Sequence, residues 1–242
     1  MNGYWKKYLV VAVAGACVAG PAAAQGQRTG PAKTAPGARP ASAEVKEDAG
    51  GDGKAAAQGP PVENLRKDWK AMPGHGKWTA VSDTEVQQSM DDIKDKNTGN
   101  TGFNRAIEQS GVMEYAWSLK AASLTHGCGF FVMATDGDKD ERGDAYLLWI
   151  TSTPKTTFGI MKVTGNQPPV EQAKFPVKVT PGKFIDLKAR YDSATGQWTL
   201  SCNGKEAGKW KDPQPYKQGG FVSFTTCLTK ANIKGVSITK VD

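Results

Sequence analysis

Histidine is nearly absent: His75 and His126 are the only two in 242 residues. Neither lies beside a Ser, Asp or Glu pattern that would make it part of a relay. His126-Gly127-Cys128 is too small a group to hold zinc without distant partners. Gly-x-Ser-x-Gly elbows and phosphate-cradling glycine loops are missing as well. So are stretches with helical apolar period, and so is any run long enough to span a bilayer. The apolar run Leu9–Gly20 falls well short of the ~20 residues such a helix needs. Cysteine is sparse, at Cys17, Cys128, Cys202 and Cys227, with no CxxC or Cys/His spacing. The 31 Lys and Arg mostly alternate with the 24 Asp and Glu, so the net charge of +7 reads as spread rather than striped. Nucleic acid is thereby disfavoured as a partner, because its footprint is clustered basic residues.

What is present begins with an export signal. Lys6 and Lys7 precede the short apolar run, and Ala22-Ala23-Ala24 offers small residues for cleavage, so residues 1–24 read as a signal peptide. That implies a periplasmic or extracellular protein whose mature chain has no transmembrane helix. Lipidation at Cys17 is the alternative, but Ala14 stands where the bacterial attachment signal prefers a larger aliphatic residue. Residues 25–61 are rich in Ala, Gly and Pro and carry almost no large apolar side chains, so they read as a disordered tether. The folded domain is expected over 62–242.

Inside that domain, alternation with period two recurs. Met113, Tyr115, Trp117 and Leu119 oppose Glu114, Ala116, Ser118 and Lys120. Ile185, Leu187, Ala189 and Tyr191 oppose Asp186, Lys188 and Arg190. A polar connection ending in Gly196 then leads into Trp198, Leu200 and Cys202, which makes a hairpin. Cys128 to Thr135 is almost continuously apolar, as in a strand covered on both sides. Ala145 to Thr151 puts Leu147 and Trp149 on one face. Further strands are expected at 78–81, 86–90, 103–108, 158–163, 177–179, 205–210, 221–227 and 233–241. A dozen short strands separated by turn residues predict an all-β, two-sheet antiparallel sandwich.

The order of these elements resembles the concanavalin A-like lectin/glucanase superfamily. It runs from a Trp-containing first strand through a Gly-Phe-Phe strand, an acidic loop, a hairpin ending in Asn203-Gly204 and a Gly219–Val222 strand to the last strand, Val236–Val241. Within the superfamily the chain is most similar to laminin G-like modules and to bacterial 3-keto-disaccharide hydrolase domains, over about residues 78–242. The resemblance implies a concanavalin-like jelly roll that takes a glycan or a cell-envelope component on one concave sheet. Two departures weaken the hydrolase reading. Strand 145–150 has no carboxylate where those relatives carry one, and Phe184-Ile185 replaces their Trp-Asn pair. Nor does any strand offer the spaced carboxylates that glycoside hydrolysis requires. A non-catalytic binding module is the expectation, with the hydrolase as first alternative and a protein-binding adhesion module as second.

Candidate sites follow. Trp149 is the candidate sugar-stacking ring, with Asp186, Lys188 and Arg190 as polar neighbours on one exposed face, while Trp117 and Trp198 read as core. Asp136, Asp138, Asp140 and Asp144 could converge on Ca²⁺. Lys139 and Arg142 compete for the same carboxylates, and the EF-hand positions are wrong, which favours a solvated loop. Cleavage after Ala24 leaves three cysteines. Strand ends favour pairing Cys128 with Cys227 or with Cys202, against the alternative of three small buried apolar residues.

Overall fold

The computed structural model describes residues 61–93, 101–137, 142–180 and 182–241. The signal, most of the tether and Cys17 lie outside the described residues, as do Asp138 and Asp140.

Fourteen strands and no helix are found among the described residues. They are β1 Lys70–Ala71, β2 His75–Ala80, β3 Glu85–Ile93, β4 Phe103–Ser110, β5 Val112–Ala121, β6 Cys128–Ala134 and β7 Ala145–Thr151. The chain continues through β8 Thr157–Val163, β9 Val170–Pro176, β10 Ile185–Asp192, β11 Gln197–Cys202, β12 Lys205–Lys211, β13 Gln218–Thr226 and β14 Ala231–Val241. All pairings are antiparallel. The first sheet runs β1-β4-β13-β6-β7-β8-β9, and the second runs β12-β11-β10-β5-β14-β3-β2.

Alternating burial stacks the two sheets. β5 and β10 turn every second residue inward: Met113, Tyr115, Trp117 and Leu119 from one, Ile185, Leu187, Ala189 and Tyr191 from the other. These meet Phe130, Tyr146, Leu148, Ile150, Phe158 and Phe224 of the first sheet. Phe130 stacks on Phe224 at 4.1 Å and takes Trp117 edge-on at 5.1 Å. Trp117 and Trp198 are both buried in this core. The lead-in at 61–69 is irregular but pinned, because Leu65 and Trp69 enter the core and Trp69 stacks on Phe224 and Phe103.

One expectation needs correction. No strand forms at 177–179; the strand lies earlier, at β9. Its side chains are mostly exposed, so it carries little apolar pattern, and an edge strand bonds only one neighbour and tolerates Pro176 at its end. Cys128, Cys202 and Cys227 are all buried. Thr226, not Cys227, stands opposite Cys128, and Cys227 lies one residue beyond, its N–H donating to Gly127 O at 3.1 Å. Cys202 belongs to the other sheet. Burial, and next the neighbouring Cys227, push the Cys128 thiol up to about 12; burial pushes Cys227 up to about 11.

Candidate functional site: the outer face of the first sheet

Strand alternation decides which side chains leave the core. In β7, Tyr146, Leu148 and Ile150 point inward, so Leu147 and Trp149 face out from the first sheet. They join Phe131, Val163, Met161 and Phe221 in a small second apolar cluster on that outer face.

Trp149 has glycine on both sides. Its register partners are Gly129 of β6 and Gly159 of β8. The indole lies down toward β6. A Cβ built at Gly127 would stand 2.4 Å from its ring atoms, and one built at Gly129 would stand 2.5 Å away. The indole therefore packs against bare backbone of β6, and the side chain as a whole is half-buried. On the far side Gly159 leaves the strand bare up to Lys174 of β9, its next partner in the same row.

The face is closed over β4 and β13. Met72 covers Gly102, where a Cβ would meet its sulfur at 2.5 Å. Arg142 is buried. It donates to Ser223 Oγ at 3.2 Å and to Met72 Sδ at 3.0 Å, and lies over the Phe131 ring at 5.4 Å. Gly137 packs against Phe221, and its carbonyl accepts from Asn104 Nδ2. The loop after β6 thus walls one end. Beside it on the outer face lies the half-buried Trp149, in the row of β7, β8 and β9. Lys174, Thr151 and Thr157 rim it, and Glu171 is held by Lys174 at 3.0 Å.

The expected polar neighbours are not there. Asp186, Lys188 and Arg190 point outward from β10 in the second sheet. The core, about 10 Å thick, separates them from Trp149. They face the opposite side of the molecule because the residues between them, Leu187 and Ala189, are the ones that enter that core. Asp186 accepts from Ser118 at 2.6 Å, and Lys188 pairs with Glu114 at 2.7 Å. Of the acidic loop, Asp144 gives an oxygen to the Gly165 N–H at 2.8 Å. No three His, Cys, Asp or Glu side chains converge among the described residues.

A buried polar network closes the end of the sandwich near β8 and the 212–217 segment. Asp212 accepts from Lys162 at 2.7 Å, from the Tyr146 hydroxyl and from the Gln214 N–H at 2.8 Å. Burial by itself would raise the Asp212 carboxyl, but these donors together outweigh it and hold it below its ordinary value. Burial, then the hydrogen bond to Asp212, pushes the Tyr146 hydroxyl far up. Tyr191 donates to Tyr216 O at 2.8 Å, and Lys162 lies over the Tyr216 ring at 4.5 Å. Every member has a partner inside the network, so it acts as a structural clasp.

No family model matches the chain, and no characterised relative is found by sequence. Solved structures do match. A carbohydrate binding module, CBM66 from Bacillus subtilis, superposes with a TM-score of 0.56 at 12% identity, over 74% of this chain and 100% of that one. The fold is that of the concanavalin A-like lectins and glucanases. A Bacillus subtilis protein of unknown function with a galectin-like fold gives 0.57 at 15% identity, over 74% and 96% of the two chains. The Lotus tetragonolobus seed lectin gives 0.50 at 15%, over 72% and 93%. At such identities these likenesses establish the concanavalin A-like sandwich and nothing finer.

Trp149 was legible from the sequence; its setting was not. The signal was there in three glycines placed in or beside apolar strands, Gly127, Gly129 and Gly159, a pattern that marks close approach by another group. That Gly127 and Gly129 meet one indole, with Gly159 opposite it in the ladder, needs the register of three strands.

Proposed function

We propose that this chain is an exported, non-catalytic carbohydrate-binding module that stacks a sugar ring on Trp149, on the outer face of the first sheet. The observation that carries this reading is the half-buried indole packed on the bare backbone of Gly127 and Gly129, on the outer face of its sheet. Sugars present C–H faces that pack on such rings, and a ring already packed in place loses little freedom on binding. Lys174, Thr151 and Thr157 supply hydrogen-bonding groups at the rim. The carbohydrate binding module and the seed lectin among the structural neighbours agree with it. A binding role is favoured over hydrolysis because Glu171, the carboxylate of β9, is paired with Lys174 rather than with a second carboxylate at catalytic spacing. The N-terminal signal pattern supports export, to the periplasm or outside the cell.

A glycan array probed with the full chain and with Trp149→Ala tests this. The variant is expected to lose binding at least about tenfold, in line with the loss of a central aromatic anchor. Equal binding by both proteins would refute the assignment of the site.

A further inference from the structure

The positive charge is not spread evenly along the chain. Residues 155–242 hold 14 Lys and Arg against 6 Asp and Glu, while residues 1–154 hold 17 against 18. The C-terminal third therefore carries the whole net charge, and it supplies β8 to β14. The fold gathers a share of it on one surface, the outer face of the second sheet where β10, β11 and β12 meet.

The register places the groups. Arg190 of β10 stands opposite Thr199 of β11, which stands opposite Lys209 of β12. One row further, Asp192 stands opposite Gln197, and Gln197 opposite Lys211. Strand spacing puts Arg190 and Lys209 roughly 10 Å apart at the backbone, and Lys209 and Lys211 about 7 Å apart. Arg190, Lys211, Asp192, Thr195, Gln197 and Thr199 line a shallow depression of about 430 Å³.

Of the three negative groups facing it, two are paired with lysines, and the third, Asp192, keeps its charge but bonds within its own turn. Glu114, the β5 partner of Arg190, binds Lys188 at 2.7 Å instead. Asp192 is turned into its own turn, accepting from the Thr195 hydroxyl at 2.7 Å and the Ala194 N–H at 2.8 Å. Glu206 reaches Lys209 at 3.2 Å in an exposed pair, which water and salt weaken. Arg190 and Lys211 have no ion-pair partner among the described residues. A guanidinium and an ammonium set around hydroxyl and amide groups match carboxylate or sulfate repeated along a chain.

We propose that this face is a second site, independent of Trp149, that binds polysaccharides bearing carboxylate or sulfate groups. Single-stranded nucleic acid is the less suited polyanion. It needs aromatic platforms for its bases, and the aromatic rings here, Tyr191, Trp198 and Trp210, pack toward the core.

The test uses the full chain, the double variant R190E/K211E and Trp149→Ala, with alginate, heparin, neutral glycans and single-stranded DNA as probes. Both reversed side chains are exposed, and thermal unfolding confirms that the variant is folded. Alginate and heparin are expected to bind the native chain, and to bind about tenfold more weakly as salt rises from about 0.05 to about 0.2 M. R190E/K211E should lose that binding at least tenfold, and Trp149→Ala should keep it. Equal acidic-polysaccharide affinity for the native chain and R190E/K211E would overturn the proposal, as would tighter binding of DNA than of either polysaccharide. Neutral-glycan binding lost only in Trp149→Ala reports separately on the Trp149 site, so the two sites fail or stand independently.

Discussion

At the scale of single residues, glycine and one buried carboxylate matter most. Gly129 leaves the gap in which the Trp149 indole lies, and a Cβ there would also meet Leu147 Cδ1 at 2.6 Å and the Leu148 carbonyl at 3.0 Å. The backbone contact cannot yield as a side chain can. Gly129→Ala should cost about 1–3 kcal/mol by overpacking and should change Trp149 emission as the ring lifts. Urea unfolding followed by tryptophan fluorescence measures both, and an unchanged midpoint would show that the ring is not held as described. Asp212 makes the other prediction. Its folded pKa lies below the ordinary 3.8, so its ionised contacts stabilise the fold at neutral pH. That contribution is lost as pH falls below about 4 through the folded value. Asp212→Ala strands Lys162 and Tyr146 and should cost about 3–5 kcal/mol at pH 7. The difference from the native chain should shrink in acid, as denaturant titrations at pH 7 and pH 3 would reveal.

Among whole elements, the strands with strict alternation were legible without coordinates. β5, β10 and β11 fall within a residue or two of the expected spans, because one face of each is buried and the other wet. β9 was misplaced because an edge strand faces solvent along most of its length and has no apolar stripe to read. It nevertheless joins the two sheets. Phe175 of β9 packs against Gly208 of β12, where a Cβ would fall 2.1 Å from the ring. Gly208→Val should force that edge apart and cost about 1–3 kcal/mol. Denaturant midpoints of the two proteins check it, and an unchanged midpoint would mean that the two edges do not lean on each other.

Across the molecule, the first sheet is built from distant parts of the chain: Phe103 pairs with Phe224, and Lys70 with Asn104. Closing such loops before their contacts form is slow, so refolding should take milliseconds to seconds. Stopped-flow fluorescence reads this directly, and refolding within microseconds would contradict the topology. The sequence by itself determined the class of fold, since period-two burial in many brief segments admits little besides stacked sheets. It also marked Arg190 as an outward residue of its strand and set Trp149 with Leu147 on one face of theirs. Only the tertiary structure decided that these two look out from opposite sides of the sandwich, and that Gly127 and Gly129 form the bed of one ring. Alternation says which side of its own strand a residue takes. Which sheet that strand joins is set by long-range pairing, and local pattern does not encode it.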